Sequence, residues 1–442
     1  MIRRLNGAVI VMIALLISAC QSNPTTIPTT PTPLPTLIAP TLTNATSIPS
    51  TPTIAVASTS LALPPADEAS QRITVPPGFA IRIFAQGLNQ PRFMAFGPDG
   101  ALYVAVIGAG QVARLPDRNN DGIADSVEIA ARNLGQPHNL EWHDGWWYVA
   151  EGDRIERFNA TFDKRELVTD NIPVGGQHFT RTVHFGPDGK MYVSVGSSSN
   201  NSPETDPRRA AILRFNPDGT IPSDNPFASD SDTLRGKQAV WASGLRNTVD
   251  FLWTKDGQMW ASMMGVDAIS DSAPPEVIVT KIERGKNYGW PYCYNPILGA
   301  NLPPSQKSLV RDTRVPLPPG FDCAMAMPAL FTDLAHSAPL GMSFVGGKNF
   351  PGSMQNDLFV AYHGSWNTNI VQNYRDCKVE RIVIENGLPV RSETFATGWR
   401  DANAKCQDSW GRPAGIVFGP DGAMYISDDK NGRVVRVVYV GK

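Results

Sequence analysis

The chain has 442 residues, and its 41 acidic and 39 basic side chains leave a formal net charge of −2 at pH 7. Because the two signs balance, the composition gives no indication of a nucleic-acid partner, and we expect none. The composition is typical of an exported protein with a single folded domain.

The first residues have the pattern of a bacterial lipoprotein signal. Arg3 and Arg4 form a basic start, residues 8–17 form an apolar segment, and small residues lead to Cys20. The apolar segment is short for a membrane span, and a cysteine at the cleavage site is what lipid attachment requires. We predict that residues 1–19 are removed and that lipid on Cys20 anchors the protein at the cell membrane or outer membrane, facing the periplasm or exterior. An ordinary secretory signal with an incidental cysteine is the alternative.

Residues 20–72 are rich in threonine and proline and carry almost no charge. A segment with so little large apolar surface cannot offset the entropy that ordering costs. We therefore predict a disordered, lipid-anchored tether that holds the folded domain, residues 73–442, away from the membrane.

A hairpin phrase recurs through the folded domain: an apolar strand, a turn with aspartate or glycine, then an aromatic-rich strand. Aspartate and glycine accept the positive φ of tight turns, and the flanking residues suit half-buried strands. One such unit cannot bury its own faces and needs neighbours on both sides. The pattern predicts an all-β fold, a six-bladed β-propeller. The copies are residues 93–106, 140–152, 183–196, 249–265, 342–364 and 416–429.

Between the first two copies, residues 117–125 place aspartate and asparagine at alternating positions around Gly122. This spacing resembles a short structural calcium loop. It lacks the distal glutamate and the helix pair of an EF-hand, and an Asp/Asn-rich hairpin turn is the alternative.

Polar residues stand just ahead of the repeated hairpins. Blade symmetry should bring these loops to the same end of the propeller. Histidine offers a base near neutral pH, and arginine offers paired donors for carboxylates. A funnel lined in this way suits a polyanionic ligand together with proton transfer. The residues concerned include Gln136, His138, His178, Arg181, Arg246, Asn247, His336 and Arg412.

Four cysteines remain once Cys20 is assigned to the lipid. An even number outside the cytosol favours two disulfides. Sequence proximity pairs Cys293 with Cys323 and Cys377 with Cys406. A zinc site built from all four is the alternative, although no close CxxC pair supports it.

Six segments of the folded domain together point to a known family. They are residues 178–196, 242–247, 285–291, 335–341, 361–367 and 410–413. Through them the chain resembles the soluble quinoprotein glucose dehydrogenases and, more closely, their sorbosone-dehydrogenase-like relatives. These proteins are six-bladed propellers that bind pyrroloquinoline quinone (PQQ) and calcium, and the resemblance covers roughly residues 73–442.

The resemblance implies a role for individual residues. His178 matches the general base of the family. Calcium would be held by the backbone carbonyls of Gly265 and Val266, with the carboxylate of Asp267 as a helper, since calcium prefers hard oxygen ligands. The residues implied to bind PQQ are Gln136, for which His138 is the alternative, Arg246, Asn247 and Arg412.

The chain departs from the glucose enzymes at two positions. Ser197 stands where those enzymes have an aspartate that orients the base, so we expect a less basic His178 or orientation by another group. The lysine that contacts PQQ has no match, and residues 362–366 stand there instead, as in the sorbosone-like branch.

The function implied by the resemblance is oxidation of an aldose or related sugar aldehyde at C1. His178 would take the C1 hydroxyl proton, PQQ would accept the hydride, and an external acceptor would receive the electrons. One alternative is a non-catalytic propeller that binds a sugar, a cell-wall fragment or a protein. Another is a calcium-dependent lactonase, which needs carboxylate and amide side chains around a central metal.

Overall fold

The computed structural model describes residues 61–230, 236–296, 308–365 and 367–441. The predicted signal, Cys20 and the predicted tether up to residue 60 lie outside them. Among the described residues, no helix is long and apolar enough to span a bilayer. One short α-helix, α1 (Glu68–Arg72), precedes strand β1 (Phe79–Gln86).

Residues 61–72, the last part of the predicted tether, lie against the propeller. Asp67 caps α1 by accepting a hydrogen bond of 2.9 Å from the Ser70 amide, and it accepts another of 2.6 Å from the Ile83 amide in β1. Ala69 is fully buried. The boundary at residue 73 stays a prediction.

Six four-stranded antiparallel sheets form the blades of a propeller, which confirms the predicted fold. Blade 1 contains β2 (Pro91–Phe96), β3 (Leu102–Val106), β4 (Gln111–Leu115) and β5 (Glu128–Ala131). Blade 2 contains β6 (Asn139–His143), β7 (Trp146–Ala150), β8 (Ile155–Asn159) and β9 (Arg165–Thr169). Blade 3 contains β10 (Arg181–Phe185), β11 (Met191–Val195), β12 (Ala211–Phe215) and β13 (Val240–Ser243).

Blade 4 carries an insertion that holds a two-stranded sheet. Its strands are β14 (Phe251–Trp253), β15 (Met259–Met263), β16 (Glu276–Ile282) and β19 (Phe331–Asp333), and the inserted pair is β17 (Cys293–Tyr294) and β18 (Val310–Arg311). Blade 5 contains β20 (Pro339–Phe344), β21 (Leu358–Tyr362), β22 (Lys378–Glu385) and β23 (Leu388–Thr397).

Blade 6 joins the two ends of the domain. It contains β24 (Pro413–Phe418), β25 (Met424–Asp428), β26 (Arg433–Tyr439) and, at its outer edge, β1. Strand β1 pairs with β26 from Phe79 opposite Tyr439 to Gln86 opposite Arg433. The first strand therefore covers the edge of the last blade and closes the ring.

Short 3-10 helices lie in the connecting loops. Their bounds are Ile107–Ala109, Lys237–Ala239, Cys323–Met325, Gly352–Met354, Val371–Asn373 and Cys406–Asp408. Apolar side chains pack between neighbouring blades, as where Tyr192 of blade 3 meets Met259 and Ala261 of blade 4.

The aspartate of the repeated Gly-Pro-Asp-Gly turn ties three strands together. In blade 1, Asp99 accepts hydrogen bonds from the Tyr103 hydroxyl (3.1 Å) on β3 and from Arg114 Nε (2.8 Å) on β4. The same contacts recur in blades 3 and 6. The equivalent sets are Asp188, Tyr192, Arg214 and Asp421, Tyr425, Arg436.

Both predicted disulfides are confirmed. Cys293 is bonded to Cys323 and Cys377 to Cys406, with Cα–Cα distances of 5.8 Å in each pair. With their sulfurs in disulfides, the four cysteines do not form the zinc site.

The residues of the possible calcium loop form a tight turn. Asp117 accepts hydrogen bonds from the amides of Asp121 (3.1 Å) and Gly122 (2.9 Å), and Asp121 accepts one from Ile123 (2.9 Å). These are the contacts of an Asp/Asn-rich turn, the second of the two interpretations.

Candidate active site

One face of the propeller gathers polar loops from all six blades, and we call it the funnel face. The inner strand of each blade begins there, and the antiparallel second strand ends there. Arg181, which starts β10, is thus opposite Val195 at the end of β11, and Pro413 is opposite Asp428. The funnel face therefore consists of the loops ahead of the inner strands and the loops that follow the second strands.

Two adjoining cavities open at the funnel face, and most of the predicted site residues line one or the other. The larger has a volume of about 630 Å³ and the smaller about 520 Å³, and both are lined by Gln177, His178 and Met264. Around the larger cavity lie Gln136, His178, Asn247, His363, Arg412 and Asp429. Around the smaller lie His178, Arg246, Gly265, Asp267, Glu276 and His336.

His178 lies at the boundary between the two cavities. Its Nδ1 is 2.8 Å from Ser197 Oγ, so Ser197 contacts the imidazole at the position where the glucose enzymes have an aspartate. Burial lowers the pKa of His178 to about 3, and the positive charge of Arg246 acts in the same direction. The imidazole is therefore neutral at pH 7, although a base of low proton affinity in the ligand-free protein.

Gly196 permits the close packing around His178. A Cβ added at Gly196 would collide with His178 Cβ and come within 2.9 Å of Asn247 Oδ1. Glycine is therefore needed where β11 delivers the chain to the funnel face.

The adjacent residues Arg246 and Asn247 face different cavities. Arg246 is 3% exposed and donates to the Asn200 carbonyl (2.8 Å) and to Asp267 Oδ2 (3.0 Å) in the smaller cavity. Asn247 lines the larger cavity, and its buried Oδ1 has no hydrogen-bond partner among the described residues. An unsatisfied buried acceptor of this kind fits a ligand donor.

A charged network forms one wall of the larger cavity. Asp429 accepts from His363 Nε2 (2.9 Å) and pairs with Arg92 NH1 (2.5 Å), while Arg412 Nε donates to the His363 carbonyl (2.9 Å). Burial lowers the pKa of His363 to about 4, and the charge of Arg412 adds to this effect. With His363 neutral, the charged side chains of this wall that line the cavity are two guanidinium groups and one carboxylate.

Sequence reasoning missed Arg92 and Asp429. Arg92 stands just ahead of the first hairpin copy and Asp429 ends the last one, so the positional rule that selected Arg412 would also have selected Arg92. His138, the alternative to Gln136, is fully buried between the Arg181 carbonyl (3.1 Å) and Arg92 NH2 (3.3 Å).

Of the three residues expected at calcium, two line the smaller cavity. The Gly265 amide donates to Glu276 Oε2 (2.6 Å), and Asp267 is bonded to Arg246 and to the Asn367 side chain. Val266 is 5% exposed and lies outside the lining of both cavities.

The smaller cavity is also lined by Glu276 and Asn367, two side chains with acceptor oxygens that the sequence analysis did not select. Glu276, at the start of β16, accepts from the His336 amide (3.0 Å), and burial raises the pKa of its carboxyl to about 7. The Oδ1 of Asn367 is buried without a partner in the described part of the chain. His336 Nε2 lies 2.9 Å from the Ser270 carbonyl oxygen. Because a carbonyl oxygen only accepts, Nε2 carries the proton and donates this hydrogen bond.

Comparison with known proteins finds a match over nearly the whole folded domain. The TrAA12-like family model matches residues 73–440. A Coprinopsis cinerea protein named pyrroloquinoline quinone-dependent pyranose dehydrogenase is 24% identical over 426 residues, which cover 85% of this chain and 56% of that relative.

Two solved structures resemble the propeller. The calcium structure of a Trichoderma reesei carbohydrate-active enzyme of family AA12 matches with a TM-score of 0.67 and 19% identity, over 83% of this chain and 97% of that chain. The holo form of the PQQ domain of pyranose dehydrogenase from Coprinopsis cinerea matches with a TM-score of 0.65 and 22% identity, over the same shares of 83% and 97%. At these identities the likeness shows the fold.

Proposed function

Because this chain belongs to the TrAA12-like family, we propose that it oxidises an aldose or related sugar aldehyde at C1, using PQQ and Ca2+. Its named relatives include a pyrroloquinoline quinone-dependent pyranose dehydrogenase and an aldose sugar dehydrogenase. The observation that carries the proposal is the larger cavity, which the neutral His178, Arg412 and Asn247 line together.

The larger cavity suits a polyanionic quinone. Arg92 and Arg412 bring two positive charges against the single carboxylate of Asp429, which favours a ligand with several carboxylates. Asn247 Oδ1, which is buried without a partner in the described part of the chain, would be satisfied by a hydrogen-bond donor of the ligand. Gln136, Asn247 and Arg412 line this cavity, and we propose that they hold PQQ. Arg246 lines the smaller cavity, and we propose that it contacts PQQ where the two cavities adjoin.

The smaller cavity suits a hard cation. We propose that calcium is held by the carbonyls of Gly265 and Val266 with help from Asp267. The carboxylate of Glu276 and the unpartnered Oδ1 of Asn367 support this assignment, because calcium takes oxygen ligands.

When bound, PQQ would accept the hydride from C1 of the sugar, and Ca2+ would act as a Lewis acid on the quinone. His178 is neutral at pH 7 and would take the C1 hydroxyl proton at its unprotonated ring nitrogen. The ion pair between Arg246 and Asp267 would stay in place beside His178. The electrons would pass to an external acceptor, and lipid on Cys20 would hold the enzyme at the membrane, facing the periplasm or exterior.

The test uses the protein supplied with PQQ and Ca2+, a reducible dye and a panel of aldoses. We expect PQQ to change the absorbance and raise the melting temperature, and sugar to reduce the dye. No response to PQQ would contradict the quinoprotein assignment and favour a non-catalytic sugar- or protein-binding propeller.

His178→Ala should abolish dye reduction while PQQ binding, followed by absorbance, is largely kept. The matched control is His143→Ala, since His143 is stacked on Phe185 at 3.7 Å between ring centroids and lines neither cavity. Unchanged turnover in His178→Ala would exclude this residue as the base.

A calcium-dependent lactonase is the second candidate function. It is favoured by the convergence of Asp267, Glu276 and Asn367 on the smaller cavity. Lactone hydrolysis that needs Ca2+ but not PQQ, and survives His178→Ala, would identify it.

A further inference from the structure

The hydroxyl of Ser197 contacts the imidazole of His178 at the end of β11. We propose that Ser197 is a positioning residue whose Oγ accepts a hydrogen bond from Nδ1–H of His178, which keeps the proton on Nδ1 and leaves Nε2 unprotonated. The proposal depends on the proposed function in one respect: the Nδ1–H tautomer is the form in which Nε2 can take a proton from a sugar hydroxyl.

The direction of the hydrogen bond follows from a second contact of Ser197. Its Oγ is 2.6 Å from the carbonyl oxygen of Ser199 and 2.8 Å from Nδ1 of His178. A carbonyl oxygen only accepts, and a serine hydroxyl has a single proton. If that proton pointed at the imidazole, two oxygens would face each other at 2.6 Å without a proton between them. The hydroxyl therefore donates to Ser199, and Nδ1–H of His178 donates to Oγ.

Backbone contacts hold Ser197 in place. Ser197 is fully buried, its amide donates to the Arg246 carbonyl (2.7 Å), and its carbonyl accepts from the His178 amide (3.3 Å). His178 is thus hydrogen-bonded to Ser197 through both its backbone amide and its imidazole, which leaves the ring little freedom to turn.

The loop after Ser197 fixes the Ser199 carbonyl, which accepts the hydrogen bond from the Ser197 hydroxyl. Ser199 Oγ accepts from the Ser202 amide (3.0 Å), and the amide of Ser198 donates to Glu204 Oε1 (2.6 Å). These contacts complete a series of hydrogen bonds from the His178 imidazole to the Ser197 hydroxyl and on to the Ser199 carbonyl. The series needs no ligand in the cavities.

A serine orients the ring without supplying charge, which distinguishes it from an aspartate. The charged groups near His178 are Arg181 and Arg246, and Asp267 and Glu276 lie across the smaller cavity. An aspartate at position 197 would stabilise the imidazolium, whereas the serine determines only which nitrogen carries the proton. Tautomer selection can therefore be measured separately from basicity.

The experiment reads the tautomer directly in the ligand-free full chain at pH 7. Long-range 1H–15N correlation spectra of 15N-histidine protein distinguish Nδ1–H from Nε2–H, and the signal missing in His178→Gln assigns the residue. We expect the Nδ1–H form for wild type and a mixture or the Nε2–H form for Ser197→Ala. In the PQQ-loaded enzyme, Ser197→Ala should lower kcat about 10-fold to 100-fold, the range typical for groups that orient a functional imidazole.

The matched control is Ser194→Ala on β11, three residues before Ser197. Ser194 is 1% exposed, and its Oγ has no partner among the described residues, so this variant removes a buried hydroxyl without touching His178. Ser197→Thr keeps the hydroxyl and should keep the wild-type tautomer if its melting temperature shows that it folds.

An Nε2–H tautomer in wild type, or an unchanged Nδ1–H tautomer in Ser197→Ala, would overturn the proposal. Neither result depends on PQQ, calcium or sugar. Failure of the proposed function is a separate outcome, recorded as absent dye reduction in the wild type, and it would leave the tautomer measurement standing.

Discussion

Gly196 packs against His178 and Asn247, the two side chains on which the proposed chemistry depends most directly. A side chain there would press on His178 and on Asn247 Oδ1 at once. The position shows why single residues at the ends of second strands matter as much as the polar loops ahead of the inner strands.

We predict that Gly196→Ala damages catalysis more than stability. Overpacking should cost about 1–3 kcal/mol in the free energy of unfolding. Displacement of the base by a fraction of an ångström up to about 1 Å should lower kcat by about 100-fold. Steady-state kinetics and thermal unfolding measure the two effects.

The control for this variant is Gly352→Ala. No atom lies within 4 Å of a Cβ built at Gly352, so the methyl group should be tolerated there. Wild-type kcat in Gly196→Ala would show that His178 does not need this close contact.

At the scale of strands, the inner wall of the propeller is joined by a partly buried chain of ion pairs. His184 on β10 bonds to Glu141 of β6 through Nδ1 (2.5 Å) and to Asp250 Oδ1 through Nε2 (3.0 Å). Asp250 also accepts from the Met342 amide of β20 (2.7 Å). The chain connects four neighbouring blades below the cavities.

His184 should make the stability depend on pH. Burial alone would lower its pKa, but the two carboxylates raise the pKa of His184 to about 10. A raised pKa means that the folded protein holds the proton more tightly than the unfolded chain. The resulting stabilisation is full below the unfolded value of about 6.5 and is lost as the pH rises through about 10.

We therefore expect His184→Gln to lower the melting temperature most near pH 6, with a difference from wild type that shrinks towards pH 10. Melting curves at pH 6, 8 and 10 measure it, with His143→Gln as a control on the adjacent strand β6. A difference that stays constant with pH would show that His184 is not charged in the folded state.

Among the strands, the repeated turn aspartate explains why the hairpin phrase was so easy to recognise. Asp99, Asp188 and Asp421 each bind a tyrosine and an arginine as well as forming the turn. In blade 4 the tyrosine is replaced by Trp260, and Asp256 bonds instead to Thr254 (2.5 Å) and Gln258 (2.7 Å). That copy was the weaker match because its aspartate has different partners.

At the scale of the whole molecule, ring closure brings together residues from opposite ends of the domain. Arg92 and Asp429, separated by 337 positions, pair across the junction of blades 1 and 6. Closure itself depends on β1, which buries Ile81 and Phe84 to 1% and 2% exposure against blade 6. The pairing of β1 with β26 that completes blade 6 and the Arg92–Asp429 contact in the wall of the larger cavity both depend on ring closure.

We predict that a chain starting at residue 61 unfolds cooperatively, with a melting temperature close to that of the longer protein. A chain starting at residue 87 lacks β1 and should lose the cooperative transition. Burial of the large apolar side chains of β1 contributes about 1.5–3 kcal/mol each, and the net stability of a domain is only about 5–15 kcal/mol. Calorimetry of the two truncations measures the effect, and equal transitions would show that the ring is stable without its closing strand.

The sequence by itself determined the number of blades, the two disulfides and the loops that carry the site. These features follow from local physics: each hairpin copy repeats the same turn and strand pattern, and each cysteine pair is close along the chain. The position of His178, Arg246 and Arg412 ahead of equivalent strands was visible for the same reason.

Only the tertiary structure decided how those residues are divided between two cavities. Arg246 and Asn247 are neighbours in sequence, yet one is paired with Asp267 in the smaller cavity and the other faces the larger. Likewise Ser197, which sequence reasoning treated as the loss of an orienting carboxylate, makes the orienting contact itself. Side-chain direction and contacts between blades depend on ring closure and on packing over hundreds of residues, and no local pattern in the sequence encodes them.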